Sequence, residues 1–329
     1  MPTQHERAVN NASRTTERLG RLFDALGHAQ SRRGVWRAYR TALAALRGNL
    51  DSLASAGDIL DGLRRNVQLE ADALLQDALE LGIDAGQRDA NLWGFVVDPA
   101  NDLTVPPDAL AAILANVDMQ ALGAKGLLLL GQNDDAQIIG NDDRAGILTP
   151  APVASDAARW IVLLSMVAYD VVVQRSIVRT ELPFYLQEEG IRAVNASAPA
   201  LFGNRFEGYD FAQFGIGARV REVLSEWGRQ VVAVVDERTT DCCLRAHGQW
   251  QAMGDDFVLT GQPRYADKMP HPPFHRWCRS ATALVQRQYA ADDLTQKMRD
   301  AARAELNARK TQKPRRKVIT PANAVSRRN

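Results

Sequence analysis

Apolar side chains recur at spacings of three and four over most of the first 86 residues. This spacing places the apolar positions on one face of an α-helix, so it predicts amphipathic helices. Three such runs lie at about residues 14–27, 31–48 and 58–79, and Gly27 and Gly48 are the predicted ends of the first two. Helices joined by short Gly-containing links predict a hairpin or bundle. We therefore expect residues 1–90 to form a helical docking region.

The helical pattern breaks up between residues 91 and 154. Short apolar runs alternate there with Asn-Asp-Asp clusters, which predicts an irregular or hairpin arm. The aspartates lack the ligand spacing and the terminal Glu of a calcium-binding EF-hand, so we interpret them as solvated turns.

A long apolar helix is predicted over residues 155–182, before Pro183. Its most apolar run, from Trp160 to Val173, contains Asp170 and is shorter than the about 20 apolar residues of a membrane span. We interpret it as a buried helix of a soluble protein and expect no membrane partner. With two further helices it forms a predicted helical core over residues 155–230.

The β-branched run Val231–Val235 predicts a strand and marks a change of character. Polar loops and a second apolar run follow, so residues 231–290 are predicted to form a compact strand-and-loop module. A helix and a flexible basic tail are predicted over residues 291–329. The predicted fold class is therefore mainly α, with a helical bundle, long central helices and a small α+β module.

The last 21 residues contain eight basic side chains and no acidic one. Such a segment could bind DNA through phosphate groups, without reading its sequence. A disordered solubilising end is the alternative interpretation. The predicted DNA-contacting residues are Arg309, Lys310, Lys313, Arg315, Arg316, Lys317, Arg327 and Arg328.

The composition of the 329-residue chain is that of an ordinary globular protein, with 46% apolar and 24% charged residues. The net charge of +1 does not indicate a class of partner. The first residues contain no apolar signal segment, which predicts synthesis in a reducing cytoplasm and cysteines without disulfides.

All three cysteines and three of the five histidines lie between Cys242 and Cys278. Thiolate and imidazole are ligands that Zn²⁺ prefers, in tetrahedral sets of four. The spacing alone leaves three possibilities open: a structural zinc site, hydrogen-bonded thiols and histidines without a metal, and a Cys243–Cys278 disulfide. The predicted ligands are Cys243, His275, Cys278 and His247, with Cys242 and His271 as alternates.

Catalysis has less support in the sequence. His275 could activate a cysteine nucleophile if the two side chains met. The chain contains no Gly-rich phosphate loop, GxSxG or HExxH motif, so we expect a protein without enzymatic activity. The alternative is a metal-dependent nuclease or transferase that uses His275, Cys278 and Cys243.

Polar residues directly after the predicted strand are suited to hold a loop. Asp236 and Arg238 could form a charge-assisted hydrogen bond, and the hydroxyl of Thr239 could satisfy loop backbone groups. Anion binding by Arg238 is the alternative. Further along, Pro272 and Pro273 predict an extended entry into the turn that carries His275.

Two segments, DERTTDCCLRAHG and PPFHRWCRS, together resemble the signature of the Mu F-like phage head morphogenesis family. The resemblance covers about residues 175–285 and includes Arg179-Thr180-Glu181 at the end of the long helix. Cys242 is additional to the family pattern, and His247 stands where the family commonly has Asn or Asp. The matching positions are Asp236, Arg238, Thr239, Cys243, Gly248, Pro272, Pro273, His275, Cys278 and Arg279.

The resemblance implies a minor head protein that supports head morphogenesis and DNA packaging rather than chemistry. The implied partners are the portal protein, the major capsid protein and packaged DNA, and the implied location is the head interior or portal vertex of a virion. We expect the two segments to meet in one module, with Arg279 paired with an acid such as Asp236, and with or without a structural Zn²⁺ as its only cofactor.

Overall fold

The computed structural model describes residues 2–31, 75–105, 151–197, 217–253, 255–261, 266–275 and 277–311. Within these ranges the protein is mainly helical with a small antiparallel sheet, which confirms the predicted fold class. The helices are α1 (Gln4–Ser31), α2 (75–93), α3 (Ala151–Glu181), α4 (Phe184–Ser197), α5 (Gly217–Ser225), α6 (Asp241–Ala246) and α7 (Asp293–Thr311). The strands are β1 (Trp227–Val232), β2 (Trp250–Ala252), β3 (Phe257–Val258), β4 (Lys268–Met269) and β5 (Ala281–Gln286), and a 3₁₀ turn spans Arg287–Tyr289.

Helix α3 forms the centre of the molecule. Every residue from Ile161 to Val178 is buried, which explains why its sequence shows no polar face. Among the described residues, one helix is long and apolar enough to cross a membrane, Arg159–Glu181, and its apolar stretch is entirely buried inside the protein. The sequence pattern predicted this burial of α3.

The C-terminal end of α3 contacts the start of the predicted irregular arm. The guanidinium group of Arg179 donates to both carboxylate oxygens of the buried Asp102, at 2.8 Å each. Burial lowers the pKa of Arg175, whose guanidinium group donates to the carbonyl oxygens of Asn101 at 3.0 Å and Asp102 at 3.2 Å. These contacts tie the start of the arm to α3. Residues 106–150 lie outside the described residues, and residues 151–154, predicted to belong to the arm, are part of α3.

The main sheet has the strand order β2-β1-β5, and all its pairs are antiparallel. The predicted strand at Val231–Val235 is displaced: β1 begins at Trp227 and includes only the first two residues of that run. The physical reason is its partner, because β5 begins at Ala281, opposite Val232, and leaves nothing for Val234 to pair with. A second sheet pairs β3 with β4.

Helix α1 packs on this sheet. Ala8 and Ala12 lie against Ala283 and Val285 of β5 in one apolar cluster. The buried His5 links three elements, because its ring nitrogens lie 2.7 Å from Gln230 Oε1 in β1 and 2.7 Å from Asp292 Oδ2 before α7. Helix α1 also continues past Gly27, its predicted end.

Two other sequence predictions fall on residues that the structure does not describe. They are the helical runs between residues 32 and 74 and the basic tail beyond Thr311.

Candidate functional site

Three chain segments supply the thiols and the imidazole. The first turn of α6 carries Cys242 and Cys243, and the loop after β4 carries His275. Cys278 lies just before β5. The Pro272–Pro273 peptide bond in the loop is cis, and Trp277 has a positive φ of 59°. Strand β5 therefore fixes the position of Cys278, and the loop before it places His275 next to α6.

The two motif segments meet in a group that we call the clasp: Asp236, Cys242, Cys243, His275, Cys278 and Arg279. Cys243 Sγ lies 3.0 Å from His275 Nε2 and 3.6 Å from Cys278 Sγ. The ligand atoms of Cys242, Cys243 and His275 all lie within 4.8 Å of one another. All three cysteines are free thiols, so the structure contains no Cys243–Cys278 disulfide.

The thiols are enclosed by an apolar cluster. Cys243 and Cys278 have 1% and 0% of their surface exposed, and His275 has 8%. The surrounding buried side chains also keep water away from any ion held there. They are Val231, Ala233, Phe257, Leu259 and Phe274.

Burial and mutual hydrogen bonding shift the pKa values of the three thiols in different directions. Burial raises the pKa of Cys243 well above its usual value. Burial also opposes ionisation of Cys278, but hydrogen bonds with Cys243 and His275 outweigh it and hold the pKa of that thiol well below its usual range. A hydrogen bond with Cys243 lowers the pKa of Cys242 to about 6, against the opposing effect of burial. The arrangement therefore favours thiolates, the metal-binding form of cysteine, at Cys242 and Cys278, and the neutral thiol at Cys243.

The distances in the clasp are close to those of a tetrahedral zinc site. Zinc–sulfur bonds of about 2.3 Å place two sulfur ligands about 3.8 Å apart. The observed separation of Cys243 Sγ and Cys278 Sγ is 3.6 Å. A sulfur and a nitrogen ligand would be about 3.6 Å apart, compared with 3.0 Å between Cys243 Sγ and His275 Nε2. The sulfur–nitrogen pair would have to separate by about 0.6 Å to fit an ion. With that adjustment, the group of Cys242, Cys243 and His275 could bind a metal.

Two histidines that the sequence offered as ligands point to other partners. His247 Nδ1 accepts the backbone N–H of Ala233 at 3.0 Å, and burial lowers the pKa of its ring to about 4. His271 Nδ1 lies 2.6 Å from the carbonyl oxygen of Pro272. The residue that joins Cys243 and His275 is instead Cys242, since the fold turns both adjacent thiols towards the same histidine.

The polar half of the clasp is an ion pair between the two segments. Arg279 Nη2 lies 2.8 Å from both carboxylate oxygens of Asp236, as the sequence predicted. The Asp236 carboxylate also accepts the Thr239 hydroxyl at 2.8 Å and the backbone N–H of Arg238 at 3.0 Å. Partial burial acts against ionisation of Asp236, but the hydrogen bonds from Arg279 and Thr239 lower its pKa. Arg238 therefore contributes its backbone, and Arg279 supplies the cation.

Arg309 has a role that the sequence did not predict. It lies in α7, not in a flexible tail, and its guanidinium group donates to the carbonyl oxygens of Thr239 at 2.7 Å and Asp236 at 2.6 Å. It also lies 3.3 Å from the Asp241 carboxylate. The feature of the sequence that could have indicated this role is Glu305, one helical turn before Arg309. Its carboxylate accepts a hydrogen bond from Arg309 Nε at 2.9 Å.

The remaining motif glycine lies where α7 crosses the end of α6. Gly248 has a φ of 76°, a conformation that glycine adopts without strain. Its carbonyl oxygen accepts Arg299 Nε at 3.2 Å, and an added Cβ would meet Thr295 O at 3.2 Å. Gly248 therefore allows α7 to pack closely on the clasp. Of the predicted DNA-contacting residues, Lys310 is also in α7, and the other six lie outside the described residues.

Comparison of the chain with known protein families, with curated proteins and with solved structures finds no match in any of the three. The function must therefore be inferred from the residues and their geometry.

Proposed function

We propose that this chain is a minor head protein of a phage or prophage, which supports head assembly and DNA packaging without catalysing a reaction. The observation that carries the proposal is the clasp. The two segments that resemble the Mu F-like signature are well separated in sequence, yet Asp236 pairs with Arg279 and Cys243 contacts both His275 and Cys278. The signature residues thus act together as one structural unit.

Burial of the clasp supports an assembly role over the nuclease or transferase alternative. A catalytic thiol must be partly exposed to reach a substrate. The Sγ atoms of Cys243 and Cys278 belong to residues with 1% and 0% exposure. A substrate could reach them only if the surrounding core opened. Nuclease activity that is present in the purified protein and lost in His275→Ala, with the fold retained, would favour the enzyme instead.

The proposed role is tested in the phage or prophage that encodes the chain. Purified particles should contain a few copies of the protein, counted by quantitative mass spectrometry. Inactivation of its gene should abolish DNA-filled, infectious heads, and expression of the intact protein from a plasmid should restore them. A normal yield of infectious particles without the protein would exclude this function.

We further propose that the clasp holds a structural Zn²⁺ through Cys242, Cys243, His275 and Cys278. The support is the burial of the donor set, the spacing of Cys242, Cys243 and His275 within 4.8 Å of one another, and the 3.6 Å between Cys243 Sγ and Cys278 Sγ. Protein purified without added metal should contain about one zinc per chain, and chelation should lower its melting temperature. Cys243→Ser should lose the metal, whereas Ser225→Ala, at the exposed end of α5, should retain it.

The proposed contact with DNA is carried by the tail beyond α7 together with Lys310. Arg309 is excluded from this group because its guanidinium group is occupied by the loop at residues 236–241. Deletion of residues 312–329 should weaken binding to nonspecific duplex DNA and flatten its salt dependence. Unchanged affinity after the deletion would leave the tail without a role in DNA binding.

A further inference from the structure

The loop at residues 236–241 contacts two parts of the protein. On one side it leads directly into the thiols of α6, and the Thr240 hydroxyl lies 3.2 Å from Cys242 Sγ. On the other side its carbonyl oxygens at Asp236 and Thr239 accept hydrogen bonds from Arg309 of α7. Any displacement of this loop must therefore affect both the thiols and the end of α7.

A second path joins α7 to the same unit. The Asp236 carboxylate is held by Arg279, which directly follows the thiol residue Cys278. The Asp236 backbone carbonyl is held by Arg309. One residue therefore connects α7 to the segment that bears Cys278, while Thr239 and Asp241 connect it to the segment that bears Cys242 and Cys243.

Arg309 is the residue through which the end of α7 reaches this loop. Its donors serve two carbonyl oxygens and the Asp241 carboxylate, and its side chain is only 24% exposed. By contrast, Arg303 on the same helix is 65% exposed and pairs with Asp300, three residues away. Arg303 therefore provides a matched control for the loss of one arginine from α7.

We infer that metal binding in the clasp and attachment of the C-terminal end of α7 are coupled through Arg309. The inference rests on the proposed zinc site and adds its regulation. When the ligands are fixed by an ion, the loop at 236–241 is held in the position that Arg309 recognises. When the ion is removed, the loop relaxes and the end of α7 is released.

Thermodynamic linkage makes the coupling reciprocal. If zinc strengthens the attachment of α7, then loss of the attachment must weaken zinc binding by the same factor. Couplings of this kind commonly change an affinity by on the order of tenfold. Arg309→Gln removes the donors to both carbonyl oxygens, and Arg309→Lys keeps the charge but cannot span the same acceptors.

The test uses the full chain and two measurements. Hydrogen exchange of residues 304–311 is compared in zinc-loaded and chelator-treated wild-type protein, and zinc affinity is measured by competition with a chromophoric chelator. We expect faster exchange after zinc removal. We also expect about tenfold weaker zinc binding in Arg309→Gln, a smaller loss in Arg309→Lys and no change in Arg303→Gln.

The possible failures are distinguishable. If the wild-type protein binds zinc but exchange in α7 does not respond, or if Arg309→Gln binds zinc as tightly as wild type, the coupling is wrong and the zinc site stands. If the wild-type protein takes up no zinc, or if its mass shows a Cys243–Cys278 disulfide in place of the metal, both proposals are wrong. The exchange comparison in wild-type protein needs no variant, so it remains decisive even if Arg309→Gln does not fold.

Discussion

Asp89 is a carboxyl group enclosed by the junction of α2, α3 and β5. Its carboxylate accepts the Tyr169 hydroxyl at 2.6 Å, the Asn11 side-chain amide at 3.0 Å and the backbone N–H of Leu284 at 3.1 Å. Burial nevertheless raises its pKa from 3.8 to about 6, because the three hydrogen bonds only partly compensate for the lost water. The folded protein therefore holds a proton there that the unfolded chain would release.

This pKa predicts a stability change with a definite sign. The contribution of Asp89 is most favourable below pH 3.8 and is lost as the pH rises through about 6. The lost contribution is roughly 3 kcal/mol. Asp89→Asn cannot titrate, so it should remove this component from the pH dependence of the free energy of unfolding, measured by urea titration between pH 4 and 7.

Asp84→Asn on the same helix is the control. Its side chain is 51% exposed and pairs with Arg18 at 3.3 Å, so we expect the wild-type pH profile with little change. If Asp89→Asn also keeps the full wild-type profile, the raised pKa of Asp89 is wrong.

At the scale of elements, an ion pair joins the central helix to the sheet. Arg229 Nη1 in β1 donates to Asp170 Oδ2 in α3 at 2.9 Å, and both side chains are buried. Arg229 Nη2 also donates to the carbonyl oxygen of Asp255 at 2.8 Å. Within the described structure, Asp170 Oδ1 and Arg229 Nε have no hydrogen-bond partner. The two charges are therefore paired, while one hydrogen-bonding atom of each side chain is left without a partner among the described residues.

Breaking this pair should cost more than replacing it. Arg229→Met leaves the Asp170 carboxylate buried without its cation and should lower the free energy of unfolding by about 3–5 kcal/mol. The double variant Asp170→Leu/Arg229→Met removes both charges and should recover most of that loss. Chemical denaturation of the two variants provides the measurement. If the double variant is as unstable as the single one, the charge is not the cause.

Close contact between α2 and α3 depends on a glycine. A Cβ at Gly82 would lie 2.1 Å from the backbone oxygen of Ser165, which cannot move aside cheaply. Gly82→Ala should therefore destabilise the protein by about 1–3 kcal/mol. A Cβ added at Gly20 in α1 would meet no atom within 4 Å, so Gly20→Ala should stabilise by about 0.5–1 kcal/mol. Thermal unfolding of both variants should give melting temperatures that shift in opposite directions.

Sequence patterns predicted elements better than their partners. The apolar run of α3 could be recognised because burial on all sides leaves no polar face. The end of the helix could be recognised because Pro183 follows it. The boundary of β1 could not be, since it depends on where β5 begins. In the clasp, Cys243, His275, Cys278 and the Asp236–Arg279 pair were predicted. The inclusion of Cys242 and the loss of His247 depend on side-chain directions that only the folded loops determine.

At the scale of the whole molecule, α1 contacts both the main sheet and the loop next to the clasp. Phe23 packs edge-to-face on Trp277, with ring centroids 5.5 Å apart, beside the loop that carries His275. At the other end of α1, His5 lies between Gln230 and Asp292. Helix α1, from the region predicted over residues 1–90, therefore contacts the module predicted over residues 231–290 at both of its ends.

His5 provides the test of this integration. His5→Leu fills a similar space but leaves Gln230 Oε1 without its buried partner, and should lower the free energy of unfolding by about 1–3 kcal/mol. The loss should appear in one transition observed equally by far-ultraviolet circular dichroism and by tryptophan fluorescence. Arg7→Gln, an exposed change on the same helix, should have an effect within about 0.5 kcal/mol. Two separate transitions would mean that α1 and the sheet fold independently.

The position of His5 also has a consequence for the newly made chain on the ribosome. Its two partners lie 225 and 287 residues further along the sequence. Leu19 and Phe23 can pack on α2 and α3 early, whereas Ala8 and Ala12 are fully covered only after β5 and the start of α7 have been synthesised. Contacts between such distant residues slow folding and lengthen the time during which apolar surface is exposed. The first turns of α1 therefore stay without their partners in the sheet for most of the time needed for translation.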